Sequence, residues 1–380
     1  MKRTLGVNLL YLVPGVVGGS EEYAVRVLRA VAAYPDDDLE IVLFARDSFV
    51  DAYPDVASAF ATKTVAIPAN RALRVAAENT WLARQSRSVD AVHHLGGRVP
   101  AFGSAASVVT VHDLQPLQFP ASFSAVKRRF LAFSLPRSVR KARLVVSVSE
   151  WVRRSIIETF HIPEERTAVI SAPCDPIDRA NLVTDGRVAA LPVALRRIAQ
   201  AGDPFFVYPA ITYAHKNHRT LIEAFAPVAR AHPSVRLVLT GRAGPLEGEI
   251  TELVARLRLG DRVVRTGRID RAQLDTMLAL AQALVFPSTY EGFGLPVIEA
   301  LRVSCPPIVA DATSLPEAVG GAGVLVEPLS VDAWSEALET ALSWDAPCRA
   351  GLVAAGARRL QELLPARVAP QWQQLHRRLW

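Results

Sequence analysis

The sequence predicts an α/β protein with two parallel, doubly wound sheets. Short apolar, β-branched runs alternate with amphipathic helical stretches along the chain, a pattern typical of parallel sheets covered by helices on both faces. A stretch rich in Pro and Gly interrupts the alternation near the middle of the chain. The chain has 380 residues and is 50% hydrophobic. It is therefore long enough for two domains, each with its own core.

The first half of the chain predicts six strands separated by helices. The helix at 21–33 is expected to begin after Ser20, and the helix at 150–160 after Ser149, because a serine oxygen at the N-cap accepts a hydrogen bond from a free helical amide. The strands are expected at 5–12, 40–44, 89–93, 107–112, 144–147 and 167–170.

The second half predicts another sheet of similar size. Its strands are expected at 205–208, 235–240, 263–266, 283–286, 307–310 and 324–326. The stretch 171–203 is interpreted as the linker, which gives Rossmann-like domains at 1–190 and 191–365. Residues 366–380 are amphipathic and predict a terminal helix that packs back on the first domain. Two such domains leave an interdomain cleft at the carboxyl ends of their strands, where ligands bind.

The charge balance allows an anionic partner. The net charge of +6 is compatible with a nucleotide, an anionic membrane surface or a nucleic acid. The arginines are dispersed, and the sequence carries no zinc finger, RNA-binding aromatic motif or basic zipper, so a nucleic-acid partner is not expected.

Cysteine content and hydropathy predict a cytoplasmic protein. Cys174, Cys305 and Cys348 are odd in number and lack metal-ligand spacing, as in proteins of a reducing compartment. No apolar stretch approaches the ~20 residues that span a bilayer. The run 4–17 contains Asn8 and Pro14 and is interpreted as a first strand rather than a signal peptide.

The most informative motif contains two glutamates, Glu291 and Glu299, separated by seven residues. Between them, Gly292 and Gly294 allow close backbone approach to a ligand, and Pro296 fits the first position of a helix. The free amides of such a helix attract a diphosphate. Because carboxylates repel phosphate, each glutamate is expected beside hydroxyl groups, one on either side of the anion. A nucleotide-sugar has this order: sugar, diphosphate, ribose.

A purely structural interpretation of the same motif stays open on the residues alone. Phe293, Leu295, Val297 and Ile298 would then be core residues and the glutamates would be solvated, since short motifs often match by chance.

The glycine pair Gly18-Gly19 after the first strand does not predict a dinucleotide site. The pattern G-x-G-x-x-G is absent, and Glu21 and Glu22 would repel a pyrophosphate from the first turn of the next helix. A neutral ligand or an acceptor hydroxyl fits this loop better.

Several short motifs occur in a consistent order along nearly the whole chain. They are Gly18-Gly19, Val111-His112-Asp113-Leu114, the run V-S-V-S-E at 146–150, His215-Lys216-Asn217-His218, Phe286-Pro287-Ser288, the two-glutamate motif and Leu315-Pro316-Glu317. Together they resemble the retaining glycosyltransferases of family four, the glycosyl transferases group 1 type, which have the GT-B fold. The two-glutamate motif is the most specific of them, followed by His-Lys-Asn-His.

The resemblance implies donor-binding roles in the second domain. Lys216 would pair with the donor diphosphate. Gly292, Phe293 and Gly294, at the loop that leads into Leu295, would offer backbone amides to the phosphates and the sugar. Glu291 would lie near the sugar hydroxyls.

Three further roles follow from the resemblance. Glu299 would hold the ribose hydroxyls. His112, from the opposite domain, would lie beside the transferred sugar, although a strand-end histidine bonded to backbone is an alternative interpretation. Gly19 would lie close to the donor phosphate or the acceptor.

One departure from the family concerns the second phosphate-binding cation. Many members have an arginine about five residues before the lysine, and 208–215 contains none. The sequence leaves five candidates, of which Arg219 and Arg242 are favoured slightly. The others are His215, His218 and Arg268.

The resemblance also implies the reaction. An acceptor hydroxyl, on a glycan, glycolipid or other acceptor, replaces the nucleotide diphosphate with retention at the anomeric carbon, and the leaving phosphate oxygen takes the proton. No cofactor beyond the nucleotide-sugar co-substrate and no metal are expected. The Asp36–Asp38 run is interpreted as a solvated turn. The His-Lys-Asn-His motif favours mannose or a deoxyhexose, from GDP-mannose or a related donor.

The segment 123–135, continuing to Arg137, Arg140, Lys141 and Arg143, mixes helix-spaced apolar residues with a basic cluster. It predicts peripheral contact with an anionic membrane, at the inner face for a cytoplasmic protein, or an ordinary amphipathic helix.

Two other functions stay open, because fold does not fix function. A nucleotide-sugar 2-epimerase or a phosphorylase has a similar two-domain fold, and transfer to an added acceptor separates a transferase from an epimerase. A non-catalytic nucleotide-sugar sensor would not hydrolyse the donor.

Overall fold

The structure is a computed structural model that describes residues 2–103, 105–119 and 125–380, without side chains at 125–127. It divides into two compact units. The first contains Met1–Pro173 together with Leu363–Trp380, and the second contains Cys174–Glu362. Residues 174–190, which the sequence analysis assigned to the first domain, therefore group with the second unit.

The first unit is built on a seven-stranded parallel sheet with the order β3-β2-β1-β4-β5-β6-β7. Its strands are β1 (Arg3–Asn8), β2 (Leu39–Arg46), β3 (Ala61–Val65), β4 (Ala91–His94), β5 (Ala106–Val111), β6 (Leu144–Ser147) and β7 (Thr167–Val169). Its helices are α1 (Gly19–Ala33), α2 (Asp47–Ala52), α3 (Pro54–Ala59), α4 (Arg71–Ala77), a π-helix (Glu78–Leu82), α5 (Ala83–Gln85), α6 (Gln115–Gln118), α7 (Ala125–Lys141) and α8 (Glu150–Phe160), with short 3₁₀ turns at Ser86–Ser88 and Glu164–Arg166.

The second unit has a six-stranded parallel sheet with the order β10-β9-β8-β11-β12-β13. Its strands are β8 (Phe205–Pro209), β9 (Arg236–Thr240), β10 (Val263–Gly267), β11 (Ala283–Phe286), β12 (Pro307–Ala310) and β13 (Val324–Val326). Its helices are α9 (Asp185–Ala189), α10 (Val193–Ala201), α11 (His218–Ala231), α12 (Glu247–Arg256), α13 (Arg271–Leu280), α14 (Leu295–Arg302), α15 (Leu315–Val319), α16 (Val331–Leu342) and α17 (Ala346–Glu362), with 3₁₀ turns at Arg179–Asn181 and Ala214–Lys216. The predicted α/β class with two parallel sheets is confirmed.

The last helix, α18 (Pro365–Arg377), belongs to the first unit and packs against α1. Trp372 lies on this helix and is fully buried. The Gln373 amide donates to the Tyr34 carbonyl, and Arg377 lies 2.9 Å from both Asp36 oxygens. The Asp36 side chain is thus buried and paired, so the interpretation of the 36–38 run as a solvated turn was wrong at this residue.

Two other local predictions were also wrong. Ser20 lies inside α1, whose N-cap is Gly18, because the chain turns through a positive φ of 80° there and the helix begins two residues early. The predicted linker 171–203 contains α9 and α10, since the fully buried Leu195 anchors α10 and Gly202 ends it in the left-handed conformation. By contrast, Ser149 caps α8 as expected, accepting the Val152 amide.

None of the helices in the described ranges combines the length and the apolar character needed to cross a membrane.

Candidate functional site

In the second unit, the predicted donor-binding residues follow two adjacent strands. β8 and β11 pair in parallel, and β8 has β9 on its other side. The strand order therefore reverses between β8 and β11, and ligands of doubly wound sheets bind at such a switch point. The segment that carries Lys216 follows β8, and the segment that carries Glu291 follows β11.

Lys216 and Glu291 form an ion pair that joins these two segments. The Lys216 ammonium contacts a carboxylate oxygen of Glu291, and each side chain is less than one fifth exposed. Lys216 Nζ also lies 5.4 Å from the centroid of the Phe286 ring. The Tyr208 hydroxyl donates to the Lys216 carbonyl at 2.5 Å, which fixes the backbone of the 3₁₀ turn.

Backbone hydrogen bonds hold the two segments together. The Thr289 amide donates to the His215 carbonyl at 2.8 Å, and the Ser288 hydroxyl lies 3.1 Å from the same oxygen. On its other side, the Glu291 amide donates to Thr313 Oγ1 at 3.0 Å, and the Ser314 hydroxyl donates to the Glu291 carbonyl at 3.0 Å. Two other loops, one with His215 and one with Thr313, therefore hold the segment that carries Glu291.

The glycine loop ends at the start of α14. Gly294 is the N-cap with a φ of 89°, and a Cβ there would lie 2.9 Å from the Leu315 side chain. Phe293 is 6% exposed and packs inward, as the structural interpretation expected for that residue. Pro296 occupies the second helical position rather than the first, because the helix begins at Leu295, and this position also lacks an intrahelical acceptor for its nitrogen. The N-cap glycine contributes no side-chain cap to the helix. Pro296 has no amide N–H and the Val297 amide donates to the Gly294 carbonyl at 2.9 Å, so the first turn offers an anion the Leu295 amide and the positive end of the helix dipole.

Glu299 lies on α14 and is only 7% exposed. Its Oε1 contacts Nη2 of Arg271, the first residue of α13. Sequence reasoning did not identify Arg271. The available signal was a basic residue at the start of a helix, where cations are disfavoured.

The candidates for a second phosphate-binding cation differ in their surroundings. Burial, followed by the charge of Lys216, lowers the pKa of His215 to about 4. Burial likewise lowers the pKa of His218 to about 4. Both rings are therefore neutral at pH 7 and supply no cation.

The two arginines favoured from the sequence are exposed. Arg219 is 63% exposed and lies 3.9 Å from Glu223, one helical turn away. Arg242 is also exposed, just after β9. No described contact joins either arginine to Lys216 or Glu291, so their donor-binding role stays a prediction.

In the first unit, His112 follows directly after β5 and is partly buried. Its Nε2 lies 2.8 Å from the Leu95 carbonyl, an acceptor, so Nε2 carries the proton and Nδ1 is left as an acceptor. The Tyr23 ring packs edge-on at 5.1 Å between centroids. Burial lowers the pKa of His112 to about 4, so the ring is neutral at pH 7. The backbone bond expected from the structural alternative is present, and it leaves the second nitrogen able to accept a hydrogen bond from a hydroxyl.

Gly19 is the first residue of α1, and the loop before it is held by a buried carboxylate. Both oxygens of Glu21 accept the Gly15 amide, at 2.8 and 3.1 Å, and the Tyr53 hydroxyl donates to Oε1 at 2.6 Å. The Tyr11 hydroxyl donates to the Ser20 carbonyl at 2.9 Å. Glu21 therefore turns back toward the loop that precedes Gly19.

No group of three or more His, Cys, Asp or Glu side chains is arranged to hold a metal in the part of the chain that the structure describes.

Two family models match adjacent parts of the chain. The model for glycosyl transferases group 1 matches residues 196–356, and the model for glycosyltransferase family 4 matches residues 17–177. The first match contains Lys216 and both motif glutamates, and the second contains Gly19 and His112.

Curated relatives are similar at modest identity. O-antigen chain mannosyltransferase B of Escherichia coli is 27% identical over 332 residues, covering 83% of this chain and 85% of that protein. O-antigen chain mannosyltransferase RfbU of Salmonella typhimurium is 25% identical, covering 61% of this chain and 59% of that protein. An alpha-D-kanosaminyltransferase of Streptomyces kanamyceticus is 26% identical over 62% of this chain and 61% of that protein.

Solved structures share the fold over nearly the whole chain. HepE of Anabaena, in complex with UDP and glucose, has a TM-score of 0.73 at 20% identity and 99% coverage of both chains. Sucrose-phosphate synthase of Thermosynechococcus elongatus has a TM-score of 0.73 at 22% identity, covering 100% of this chain and 99% of that one. These similarities confirm the expected GT-B fold.

Proposed function

Because this chain belongs to the glycosyltransferases described by the group 1 and family 4 models, we propose that it uses a nucleotide-diphosphate sugar as donor. The sugar passes to a hydroxyl of a glycan or lipid-linked acceptor, with the anomeric configuration retained. The observation that carries the proposal is the Lys216–Glu291 pair beside the uncapped start of α14. A cation, a helix N-terminus and a carboxylate are thereby combined at one switch point of a parallel sheet.

The parts of the donor have distinct partners in this proposal. The Lys216 ammonium and the positive end of the α14 dipole, at Leu295, take the diphosphate, because a compact cation and a helix dipole both stabilise its charge. When Lys216 turns to the phosphates, Glu291 accepts hydrogen bonds from the sugar hydroxyls. Glu299 accepts the hydroxyls of the ribose.

The transfer step needs no protein base. The bond between the anomeric carbon and the phosphate oxygen breaks, and the acceptor oxygen forms its bond to the same carbon on the same face. The acceptor proton passes to the leaving phosphate oxygen. Charge develops on that phosphate, and Lys216 together with the N-terminal end of α14 stabilises it. His112, neutral at pH 7, accepts a hydrogen bond at Nδ1 from a hydroxyl of the transferred sugar.

Mannose is the proposed sugar. Two of the relatives are named as mannosyltransferases of O-antigen chains, at 27% and 25% identity. Their names support mannose, and an acceptor in polysaccharide assembly.

A transfer assay tests the proposal. Purified protein is incubated with GDP-mannose and a lipid-linked or oligosaccharide acceptor, and the product is identified by mass spectrometry and proton NMR. We expect a new α-linked sugar, with equal rates in the presence and absence of EDTA. An inverted anomeric centre would refute retention, and complete loss of activity in EDTA would refute metal independence. Isomerisation of the donor without transfer would indicate an epimerase.

A peripheral contact with anionic membranes is part of the proposal. On α7, Arg129, Phe133 and Arg137 follow one another at intervals of four residues, and all three are exposed, with Phe133 at 70%. The opposite face, with Ser134, is buried. The start of the predicted segment, 123 and 124, lies outside the described residues. An aromatic side chain between two arginines suits a negatively charged interface, and such contact would keep the protein at the inner face of the membrane in the cytoplasm.

Vesicle sedimentation tests the membrane contact. We expect binding to vesicles with anionic lipid, weakened by salt and by the Phe133→Ser substitution, and little binding to neutral vesicles. Equal failure to bind both vesicle types at low salt would contradict it.

A further inference from the structure

Three arginines of the first unit lie at the carboxyl edge of its sheet, near the buried acid Glu78. β1 lies between β2 and β4, so the strand order reverses between β1 and β4, and ligands of doubly wound sheets bind at such a point. Arg98 follows β4, whereas Arg71 and Arg74 lie on α4. These three residues are called the arginine cluster below.

Glu78 balances only part of the charge of this cluster. Its side chain is 2% exposed and contacts Nη1 of Arg98, while Arg74 Nε lies 3.7 Å from its other oxygen. The side chains of Arg74 and Arg98 are themselves only 17% and 13% exposed. Two largely buried bases therefore share one buried acid.

Arg74 has hydrogen-bonding capacity that the fold does not use. Its Nε is shielded from solvent and has no hydrogen-bond partner among the described residues. Burial lowers the pKa of Arg74, Glu78 opposes this shift, and Arg98 and Arg71 add to it. A guanidinium keeps its charge at pH 7 all the same, and a shielded donor without an acceptor is costly. An anion beside Arg74 would supply both the acceptor and the missing charge.

A further buried cation, Arg46, increases the excess of positive charge. It ends β2 and is 3% exposed. Its Nε donates to the Leu10 carbonyl at 2.7 Å, and its Nη1 donates to the Pro68 carbonyl at 2.8 Å. These bonds join the chain after β1 to the segment before α4. The carbonyls satisfy the hydrogen bonds of Arg46 but do not neutralise its charge, which acts on Arg74 nearby.

The loop that carries Arg98 also holds His112. The Leu95 carbonyl, which accepts from His112 Nε2, directly follows β4, and Arg98 lies three residues further along. Gly96 in this loop packs against Tyr11, since a Cβ on Gly96 would lie 2.5 Å from the Tyr11 ring. A ligand held by Arg98 would therefore be bound by the loop that positions His112, the proposed contact of the transferred sugar.

Arg71 connects the cluster to α7. Its guanidinium lies 5.6 Å from the centroid of the Phe130 ring on that helix. The same helix carries Phe133, the aromatic residue of the proposed membrane contact. An acceptor whose anionic group joins a sugar to a lipid suits this arrangement.

We propose that the arginine cluster binds a phosphate or diphosphate group of the acceptor, so that the protein selects phosphate-bearing acceptors over neutral glycans. This inference rests on the proposed function, since it takes the ligand of the first unit as the acceptor. Arginine suits such a group because its fork of N–H donors matches phosphate oxygens.

Calorimetric titration with octyl diphosphate tests the site. The protein is first saturated with GDP or UDP, whichever binds more tightly, so that the proposed donor site at Lys216 is filled. We expect one saturable site per chain for octyl diphosphate and no binding of the neutral octyl glucoside. Arg74→Gln should weaken binding about 10–100-fold, the range for a hydrogen bond to a charged group, and the exposed Arg71→Ala should weaken it less. No saturable binding to the wild type would overturn the inference.

Arg154 provides a matched control. It is exposed on α8, a helix of the same unit that packs against β6 and β7. Arg154→Ala removes one positive charge from this unit and should leave the affinity for octyl diphosphate unchanged. Equal weakening by Arg154→Ala and Arg71→Ala would reduce the effect to net charge and overturn the proposed site.

Glu78→Gln separates anion binding from a purely structural role of the cluster. Removal of the acid leaves the arginines with more unbalanced charge, so octyl diphosphate should bind more tightly than to the wild type while the thermal midpoint falls. If the arginines serve only to neutralise Glu78, this substitution leaves the affinity unchanged or weaker, and that result would overturn the inference.

Two further comparisons identify the source of the anion and its site. Tighter binding of octyl diphosphate than of inorganic pyrophosphate would assign the group to a lipid-linked acceptor, and equal affinities to a soluble phosphorylated one. In the transfer assay, octyl diphosphate should compete with the acceptor. Competition with the donor alone would overturn the inference and leave the proposed function intact. Failure of the wild type to bind any nucleotide or nucleotide-sugar, with octyl diphosphate still bound, would instead refute the proposed function.

Discussion

The ammonium of Lys216 contacts the carboxylate of Glu291 across 75 positions of the sequence. Each residue belongs to a different loop at the switch point between β8 and β11, so the pair exists only because the sheet brings those loops together. The backbone around each partner is fixed separately, by Tyr208 for Lys216 and by Thr313 and Ser314 for Glu291.

This pair leads to the first prediction. Lys216→Ala removes the proposed phosphate partner, and Glu291→Gln replaces a charged acceptor by a neutral one, so each should lower kcat/KM at least about 100-fold. The measurement is steady-state transfer with purified variants whose thermal midpoints are checked. Arg230→Ala, an exposed change at the far end of α11, serves as control and should keep wild-type activity. Wild-type rates in both site variants would exclude the assigned site.

The second prediction concerns the protonation of His112. Its pKa is lowered to about 4 by burial, so it is neutral throughout the range from pH 6 to 8 and contributes no ionisation there. His112→Ala should reduce kcat by removing an acceptor, yet the shape of the pH–rate profile between pH 6 and 8 should match that of the wild type. A limb near pH 6.5 that is present in the wild type and absent from the variant would show that His112 acts as an acid or base.

The third prediction concerns the loop before Gly19. Tyr53→Phe removes one hydrogen bond to Glu21, and Glu21→Gln removes the charge that holds the Gly15 amide and the Tyr53 hydroxyl. We expect kcat/KM to fall about 3–10-fold in Tyr53→Phe and further in Glu21→Gln, because the loop is held less firmly. Transfer kinetics measure the loss, and limited proteolysis near Val16 should show faster cleavage of the loop. If the loop is cleaved faster but the transfer kinetics are unchanged, the rigidity of this loop does not contribute to the reaction.

The fourth prediction follows from a buried chain of histidines that joins α18 to the first sheet. His376 Nδ1 lies 2.6 Å from the Trp372 carbonyl, so this nitrogen carries the proton and His376 Nε2 accepts from His93 Nδ1 at 3.0 Å. His93 Nε2 in turn accepts from the Thr110 hydroxyl at 2.8 Å. Both rings are thus neutral donors and acceptors. Burial lowers the pKa of His376 to about 4, and burial together with His376 lowers that of His93 well below its usual value.

The sign of the pH dependence follows from these shifts. An unfolded histidine, with a pKa near 6.5, takes up a proton at a pH where the buried ring does not. The stabilisation of the fold by these neutral, buried histidines is therefore complete above about pH 6.5 and is lost as the pH falls toward 4. Each such histidine adds a slope of about 1.4 kcal/mol per pH unit in this interval. In denaturant unfolding between pH 6 and 4.5, His376→Gln should show a slope smaller by about 1.4 kcal/mol per pH unit. An identical slope would contradict the lowered pKa of His376.

The sequence predicts the strands best where they are buried. β6, β11, β12 and β13 begin and end at the predicted residues, and the first three are fully buried apolar runs. β3 was missed because it is a mostly exposed edge strand with alternating small and polar residues. The first strand was predicted to begin two residues late and to end four residues beyond Asn8, its actual end. Leu9–Leu12 is equally apolar but turns, with the Leu12 amide bonded to the Leu9 carbonyl.

For the candidate site, too, the sequence predicts some features and misses others. The two-glutamate motif and its glycine loop are local, so spacing alone predicted a helix start between two acids, and the structure has one at Leu295. The pairings of Lys216 with Glu291 and of Arg271 with Glu299 are tertiary contacts, across 75 and 28 positions. No local pattern encodes such contacts. Resemblance to a family supplied the role of Lys216, and Arg271 was found only from the structure.

Equilibrium titration of nucleotide-sugars tests the central claim most directly. GDP-mannose, UDP-glucose and their free diphosphates are titrated into wild-type protein, Lys216→Ala and the Arg230→Ala control. We predict saturable binding of at least one nucleotide-sugar with one site per chain, weakened at least about tenfold in Lys216→Ala and unchanged in the control. Equal affinity of the wild type and Lys216→Ala, or no binding to the wild type at all, would contradict the assignment of this site to a nucleotide-sugar donor.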